Sequence, residues 1–465
     1  MAFLSKRNGI NLLKRLHKSF SNHHRNASIL SMKPSEFVEY MKSNNLKRCS
    51  VTYDETSMST VVNSEKFNGL KEFCSVANNK DYVKHEGLFL EIGRRSEALL
   101  GAFVWRTDRG QACGGVRLWE YETVEEYLFD GLRLSQGMGL KSALAGLWAG
   151  GGKGVIASPG KEAENDPDFR RNMFLDYGDF LSSLNGCYIG AEDAGVVVDD
   201  MNTIFERTRF MTCISQDKGG SGNPSIATGK GVVCAMEAAS DFLGKGSLQG
   251  KSVVSQGSGN VARVIFETLL DDKEVGHIHA TDVNEQQLEL TEKMFAQRNG
   301  GRLTLEHVSI GETKTLAMPC DILSPNALGN ILNENTIPTI QSKIVCGAAN
   351  NQLGKISDNK MMMERGITYI VDFLCNRMGI VNCANENYGR LNNDPALLQH
   401  FDKDWADSIW NVTHEVLAAA QEKGITPVES AIEIADRKSL DLHPIWPNRS
   451  KKIIENLISD RWADI

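Results

Sequence analysis

The chain of 465 residues has no run of 18 or more apolar residues, which excludes an ordinary membrane-spanning helix. Its ten cysteines include no C-x-x-C pair, and no His/Cys spacing fits a zinc site. No metal is therefore expected, and the cysteines read as buried or free thiols in a reducing compartment. Positive charge is not in excess: 51 Lys and Arg stand against 59 Asp and Glu, a net charge of −8, which argues against nucleic acid as a main partner. No internal repeat or low-complexity block is found. What remains is a globular composition, 41% hydrophobic and 24% charged, long enough for about two domains.

Acidic residues are absent before Glu36, whereas Lys6, Arg7, Lys14, Arg15, Lys18 and Arg25 crowd the same stretch. Ile10, Leu13, Leu16 and Phe20 recur there at helical spacing. A basic amphipathic segment over residues 1–32 has the profile of a mitochondrial transit peptide, and the expected location is the mitochondrial matrix. The alternative is a disordered basic tail on a cytoplasmic protein.

Residues 98–107, "ALLGAFVWRT", read as a buried strand, "DRGQACGGVRLW" as the turn after it, and "ETVEEYLFDGLRLSQGMGLKSALAG" as a helix. "CYIGAEDAGV" reads as a strand whose end delivers Glu192 and Asp193 into a loop, where sites sit in an α/β sheet. The loop "DKGGSGNPSIATGKG" separates this half from a second, which opens with a helix from about Gly231 to Leu243. "CDILSPNALG" and "KIVCGAANN" look like further short strands ending in polar loops.

"GKSVVSQGSGNVARVIFETLLDD" and the following "HIHATD" read as strand, G-x-G-x-x-A turn, helix, strand and acid. Gly257 makes the tight turn, Gly259 lets a pyrophosphate approach, and Ala262 packs helix on strand. Phosphate would rest on the helix N-terminus, and Asp282 would take a ribose 2′-hydroxyl, which favours NAD over NADP.

In the first half, "AGGGKGVI" (149–156) sets three glycines before a lysine. It is not a G-x-x-x-x-G-K-[ST] phosphate loop, because Leu147 and Gly154 occupy two of the four fixed positions. The glycines are expected to bring backbone close to a small ligand beside Lys153. Lys141 lies twelve residues earlier, and two ammonium groups in one cleft should repel and lower each other's pKa, with burial adding to the effect. A near-neutral lysine can act as a base while its neighbour holds a carboxylate. Spacing alone leaves open that both lysines are solvated surface charges.

"GGVRLW", "GMGLKSALAGLWAGGGKGVI", "YIGAEDAG", "VDDM", "SGNPSIATGKGV", "QGSGNVA" and "GAANNQL" occur in the order and near the spacing of one family. Over residues 98–440 the chain resembles the amino-acid dehydrogenases acting on glutamate, leucine, phenylalanine and valine, nearest to the leucine-specific branch. The resemblance implies an α/β protein of two domains, an N-terminal substrate (dimerisation) domain over 33–214 and a Rossmann-type NAD-binding domain over 215–426. A helical segment, 427–465, is expected to pack back on the first domain. The implied partners are an amino acid, its 2-oxo acid, ammonia and further copies of the chain.

Carried over by position, Lys153 matches the catalytic lysine, Asp193 the acid that assists at the amino group, and Lys141 the holder of the α-carboxylate. Gly114 matches a backbone contact near the substrate, and Thr228 lies in a loop facing the nicotinamide. Gly257, Ser258, Gly259, Asn260, Val261, Ala262 and Arg263 match the NAD phosphate turn, Asp282 the ribose acid, and Asn350 and Asn351 a loop near nicotinamide and substrate. Cys113 stands where glutamate-specific members place a lysine, which disfavours glutamate. Ala191, Ile380 and Cys383 imply an apolar slot for a leucine-, valine- or isoleucine-like side chain. Arg377-Met378 replaces the usual Ala-Gly, bulk expected near hinge and pocket. This departure keeps open an aromatic substrate (phenylalanine or tryptophan) or a relative that binds NAD without turnover.

Overall fold

Apolar runs over residues 48–192 and 252–369 assemble into two separate sheets in the computed structural model, which describes residues 28–464 apart from 222–223, 298–299, 387–388, 390 and 392. The basic helix expected around Ile10 to Phe20 lies outside the described residues. Among them, no helix is long and apolar enough to cross a membrane.

The first sheet contains β1 (Arg48–Asp54), β2 (Ser59–Val62), β3 (Gly87–Ile92), β4 (Leu99–Val104), β5 (Ala112–Trp119), β6 (Gly150–Ala157) and β7 (Tyr188–Glu192). Their order is β2-β1-β3-β4-β6-β5-β7, with β5 parallel to both β6 and β7. Helices that pack with it include α1 (Pro34–Ser43), α2 (Val124–Leu144) and α3 (Pro167–Ser183). Thr123 caps α2 by accepting from the Glu126 amide, and Glu125 and Glu126 place negative charge at its positive end. Asp166 caps α3, and Pro167 takes the first helical position, where its missing N–H costs nothing. The short α4 (Val198–Phe205) follows β7.

Two expectations are corrected here. "GGVRLW" is not a turn but most of β5, and the glycines before Lys153 are not a loop but the start of β6. Close packing requires these glycines. A Cβ on Gly151 would lie 3.0 Å from Gly139 Cα of α2, one on Gly152 would lie 2.5 Å from the Tyr188 ring, and one on Gly115 would lie 2.6 Å from Asp193 Cβ. Helix and sheet therefore meet backbone to backbone.

The second sheet is wholly parallel: β8 (Ser252–Gln256), β9 (His277–Asp282), β10 (Leu303–His307), β11 (Ile322–Pro325), β12 (Ile344–Val345) and β13 (Thr368–Tyr369), ordered β10-β9-β8-β11-β12-β13. Counted from β8, this is the 3-2-1-4-5-6 order of a Rossmann-type domain, with its switch point between β8 and β11. Helices α5 (Ser225–Phe242), α6 (Asn260–Glu267), α7 (Glu285–Phe295), α8 (Asp372–Cys375) and α9 (Met378–Glu386) accompany it. Helix α5 starts six residues before the expected Gly231, because glycines that read as loop let it pack closely: a Cβ on Gly229 would lie 2.7 Å from Val264.

The C-terminal tail divides between the halves. Helix α10 (Ile409–Lys423) and α11 (Pro427–Ser439) bury Val412, Val416, Ala431 and Ile434 in the second core, although α11 also touches α2. Helix α12 (Arg449–Ser459) and Trp462 join the first core through Ile454 and Leu457. The tail from Pro427 thus meets the first half as expected, α11 through α2 and through Arg106 and Arg109 and α12 through the first core, while α11 also fills the second core.

Candidate active site

Between the sheets lies a cavity of about 760 Å³. Its walls carry Lys153, Asp193, Lys141, Cys113, Gly114, Ala191, Ile380 and Cys383, and also Thr228, Asn260, Val261, Asn350 and Asn351 from the second half. Strand β6 positions Lys153 by pairing it with Phe103 of β4, while β5 places Cys113 and Gly114 opposite Ile189 and Gly190 of β7. Lys141 reaches the same space from the last turn of α2. Lys153 is 3% exposed and Lys141 is half-buried on the cavity wall, so neither is a freely solvated surface charge.

Lys153 Nζ is in contact with Asp193 Oδ2. Burial drives the Lys153 pKa down, and the Asp193 carboxylate opposes this without cancelling it. The cation that adds to the lowering is Arg117, not Lys141 as expected. Lys141 is likewise lowered by burial and held up chiefly by Asp372. Burial alone would raise the Asp193 carboxyl, but Lys153 and Arg117 outweigh it, and the group sits below the usual carboxylate range. The arrangement is an amine deprived of water and a carboxylate kept ionised beside it, which suits proton transfer at a substrate nitrogen or an attacking water.

Sequence reading missed several wall residues. Arg117 Nε donates to Asp193 Oδ2 at 3.1 Å, and Nη1 donates to Asp130 Oδ1 at 3.1 Å, so the Asp193 carboxylate is held from behind. Arg117 stood in plain view within "GGVRLW". Asp372, which follows β13, accepts from the Asn351 amide at 2.5 Å; an acid just past a strand end was a usable signal. Asn376 donates to Asn350 Oδ1 at 2.9 Å and steadies that loop. Arg377 and Met378, by contrast, do not line the cavity, and the expectation of bulk in the pocket is corrected. Arg377 is buried, donates to Leu144 O at 3.0 Å and to His400 Nδ1 at 3.2 Å, and also contacts Asp407 O. Met378 instead lies beside Gly231 of α5.

The turn after β8 suits a dinucleotide phosphate. Gly257 has φ +102, a Cβ on Gly259 would meet open space, and no side chain caps the N-terminus of α6, so its first amides point free. Ala262 is buried against the sheet as expected. Asp282 Oδ2 accepts from Ser258 N at 2.8 Å and Oγ at 3.0 Å, at the end of β9. Arg263 donates to Ser258 O and to Gln287 Oε1, bracing the turn against α7.

Residues 102–210 match the family model described as Glu/Leu/Phe/Val dehydrogenase, dimerisation domain, and residues 219–443 match that of Glutamate/Leucine/Phenylalanine/Valine dehydrogenase. The chain is 36% identical to leucine dehydrogenase of Geobacillus stearothermophilus over 333 residues, covering 71% of this chain and 84% of that one. It is 34% identical to valine dehydrogenase of Streptomyces virginiae over 373 residues, covering 78% and 96%. Among solved structures it is similar to L-tryptophan dehydrogenase from Nostoc punctiforme, with TM-score 0.63 and 30% identity over 79% of this chain and 97% of that one. Two family models matched in sequence order, on halves that face each other across a lysine-bearing cleft, leave one reading: the chain belongs to the glutamate/leucine/phenylalanine/valine dehydrogenase family and is an NAD(P)-dependent amino-acid dehydrogenase.

Proposed function

We propose that the protein carries out reversible oxidative deamination of an apolar aliphatic L-amino acid, with NAD and water giving the 2-oxo acid, ammonia and NADH. The observation that carries this reading is the pair of buried Lys153 and half-buried Asp193 facing an apolar slot in the cavity that also holds Lys141. A nicotinamide dinucleotide held at residues 257–263 would accept hydride from the substrate Cα.

In this reading Lys141 holds the α-carboxylate through a charge-assisted hydrogen bond. Lys153, its amine made available by burial, takes a proton from the water that adds to the substrate iminium carbon. Asp193 moves protons at the amino nitrogen as the carbinolamine collapses. Arg117 keeps Asp193 in place. Cys113, Ala191, Ile380 and Cys383 line the slot with no cation, which supports an aliphatic side chain over glutamate. Ile189 and Met138 widen the apolar lining. The likeness to a tryptophan dehydrogenase supports an aromatic substrate as the second reading. Asp282 favours NAD, since a 2′-phosphate would meet its carboxylate.

The matched dimerisation-domain model supports a homo-oligomer. Import into a mitochondrion rests on the acid-free, basic residues 1–32 alone, and a fluorescent protein carrying that segment tests it.

The deciding experiment is a scan of the L-amino acids with NAD and NADP, read at the NADH absorbance. Branched-chain amino acids with NAD are expected to lead. Lys153→Ala should abolish turnover and still bind NADH; normal turnover in that variant would remove the assigned role.

A further inference from the structure

Cys213 and Cys383 are 170 residues apart in sequence, yet their sulfurs stand 2.7 Å from each other on the cavity wall. They come from opposite halves. Cys213 follows the bridge that joins Met211 to Gly190 of β7, and Cys383 lies on α9. The two segments are already fastened together. Glu386, one turn beyond Cys383, accepts from the backbone amides of Cys213 at 3.0 Å, Ile214 at 3.3 Å and Ser221 at 2.8 Å. A covalent S–S bond of about 2.05 Å therefore requires closure by only about 0.7 Å, within a frame that hydrogen bonds hold in register. Cys346 and Cys375 also neighbour each other, but both are buried and neither lines the cavity.

We propose that Cys213 and Cys383 are a reversible redox-modification site, at which a hydroperoxide entering the cleft forms a disulfide that stops turnover. The consequence for turnover rests on the slot reading above; the bond itself does not. Cys383, the more exposed of the two, gives up its proton and attacks the hydroperoxide. The O–O bond breaks, leaving a sulfenic acid on Cys383 and, when the oxidant is hydrogen peroxide, one water. The Cys213 sulfur then attacks the Cys383 sulfur. The S–S bond forms, the S–O bond breaks, and the hydroxyl leaves with the Cys213 proton as a second water. Two thiols lose two electrons and two protons, and the peroxide becomes two waters. The bridge narrows the slot at Cys383 and pins α9 to the first half. The contact with Cys213 and burial hold the Cys383 thiol well above its ordinary range, so the thiolate is scarce and the oxidation slow beside turnover.

The full-length protein is treated with hydrogen peroxide, then digested without reductant and mapped by mass. A cross-linked peptide pair holding Cys213 and Cys383 is expected, with a fall of two in titratable thiols. Activity should drop at least tenfold and return with dithiothreitol. Cys383→Ser, scored against its own untreated rate, should keep that rate through the same treatment, whereas Cys213→Ser should form no cross-link and keep the oxidised sulfur on Cys383. In the unsubstituted protein, a bridge elsewhere with these two thiols free would overturn the proposal, as would loss of activity without the cross-link or a bridge that leaves the rate unchanged. Because mass reads the bond, a wrong substrate assignment and a wrong disulfide give different results.

Discussion

Asp193→Asn tests the coupling between the two central groups. The substitution keeps the shape of the side chain and removes its charge from Lys153 and Arg117. Unit charges about 4 Å apart in a medium of effective dielectric near 20 interact by about 4 kcal/mol, equivalent to about 3 pKa units. Arg117 already neutralises part of the Asp193 charge, so only a fraction of that interaction is lost at Lys153. The sign is fixed by geometry: burial lowers Lys153, Asp193 opposes that, and losing Asp193 lowers it further. A base must be unprotonated, so the acid-side limb of the kcat/KM profile should move to lower pH. Its plateau should fall about 10²–10⁴-fold through loss of the proton carrier. Initial rates of NADH formation across pH, together with NADH binding to show an intact fold, measure both. A limb that stays in place or moves to higher pH would refute the coupling.

Arg377→Met should lower stability by about 2–4 kcal/mol, because the buried carbonyls of Leu144 and Asp407 lose their donor, read as a lower urea midpoint. Burial pushes the Arg377 guanidinium down to about 9, still charged at neutral pH, and substrate preference should not change. Gly151→Ala should force α2 off β6, cutting kcat/KM with little effect on the affinity for NADH, which titration of NADH fluorescence separates. Asp282→Ser should narrow the preference for NAD over NADP at least about tenfold, about 1.4 kcal/mol, and raise the KM for NAD because Ser258 loses its acceptor. Parallel assays with the two cofactors give the ratio.

Much of this was legible in the chain. The glycine turn at 257–259, the strand ending at Asp282 and the strand ending at Glu192 are local signals, and each falls where period and turn chemistry place it. Glycines misled twice, at 114–115 and 150–152, because turn propensity and close packing ask for the same residue and only the partner distinguishes them. The same ambiguity hid the first turns of α5. Arg377 was misread because bulk beside a pocket motif says nothing about direction; the side chain turns away to the end of α2. The Cys213–Cys383 contact could not be read at all, since no local pattern links residues from different halves.

The seam between α2 and β6 acts as a gauge block. Lys141 and Lys153 ride on backbones that touch through Gly139 and Gly151, with no compressible side chain between them. Drift elsewhere in the slot can therefore retune which side chain is admitted while the spacing of the two amines stays put. Specificity and chemistry in this fold are free to diversify at different speeds.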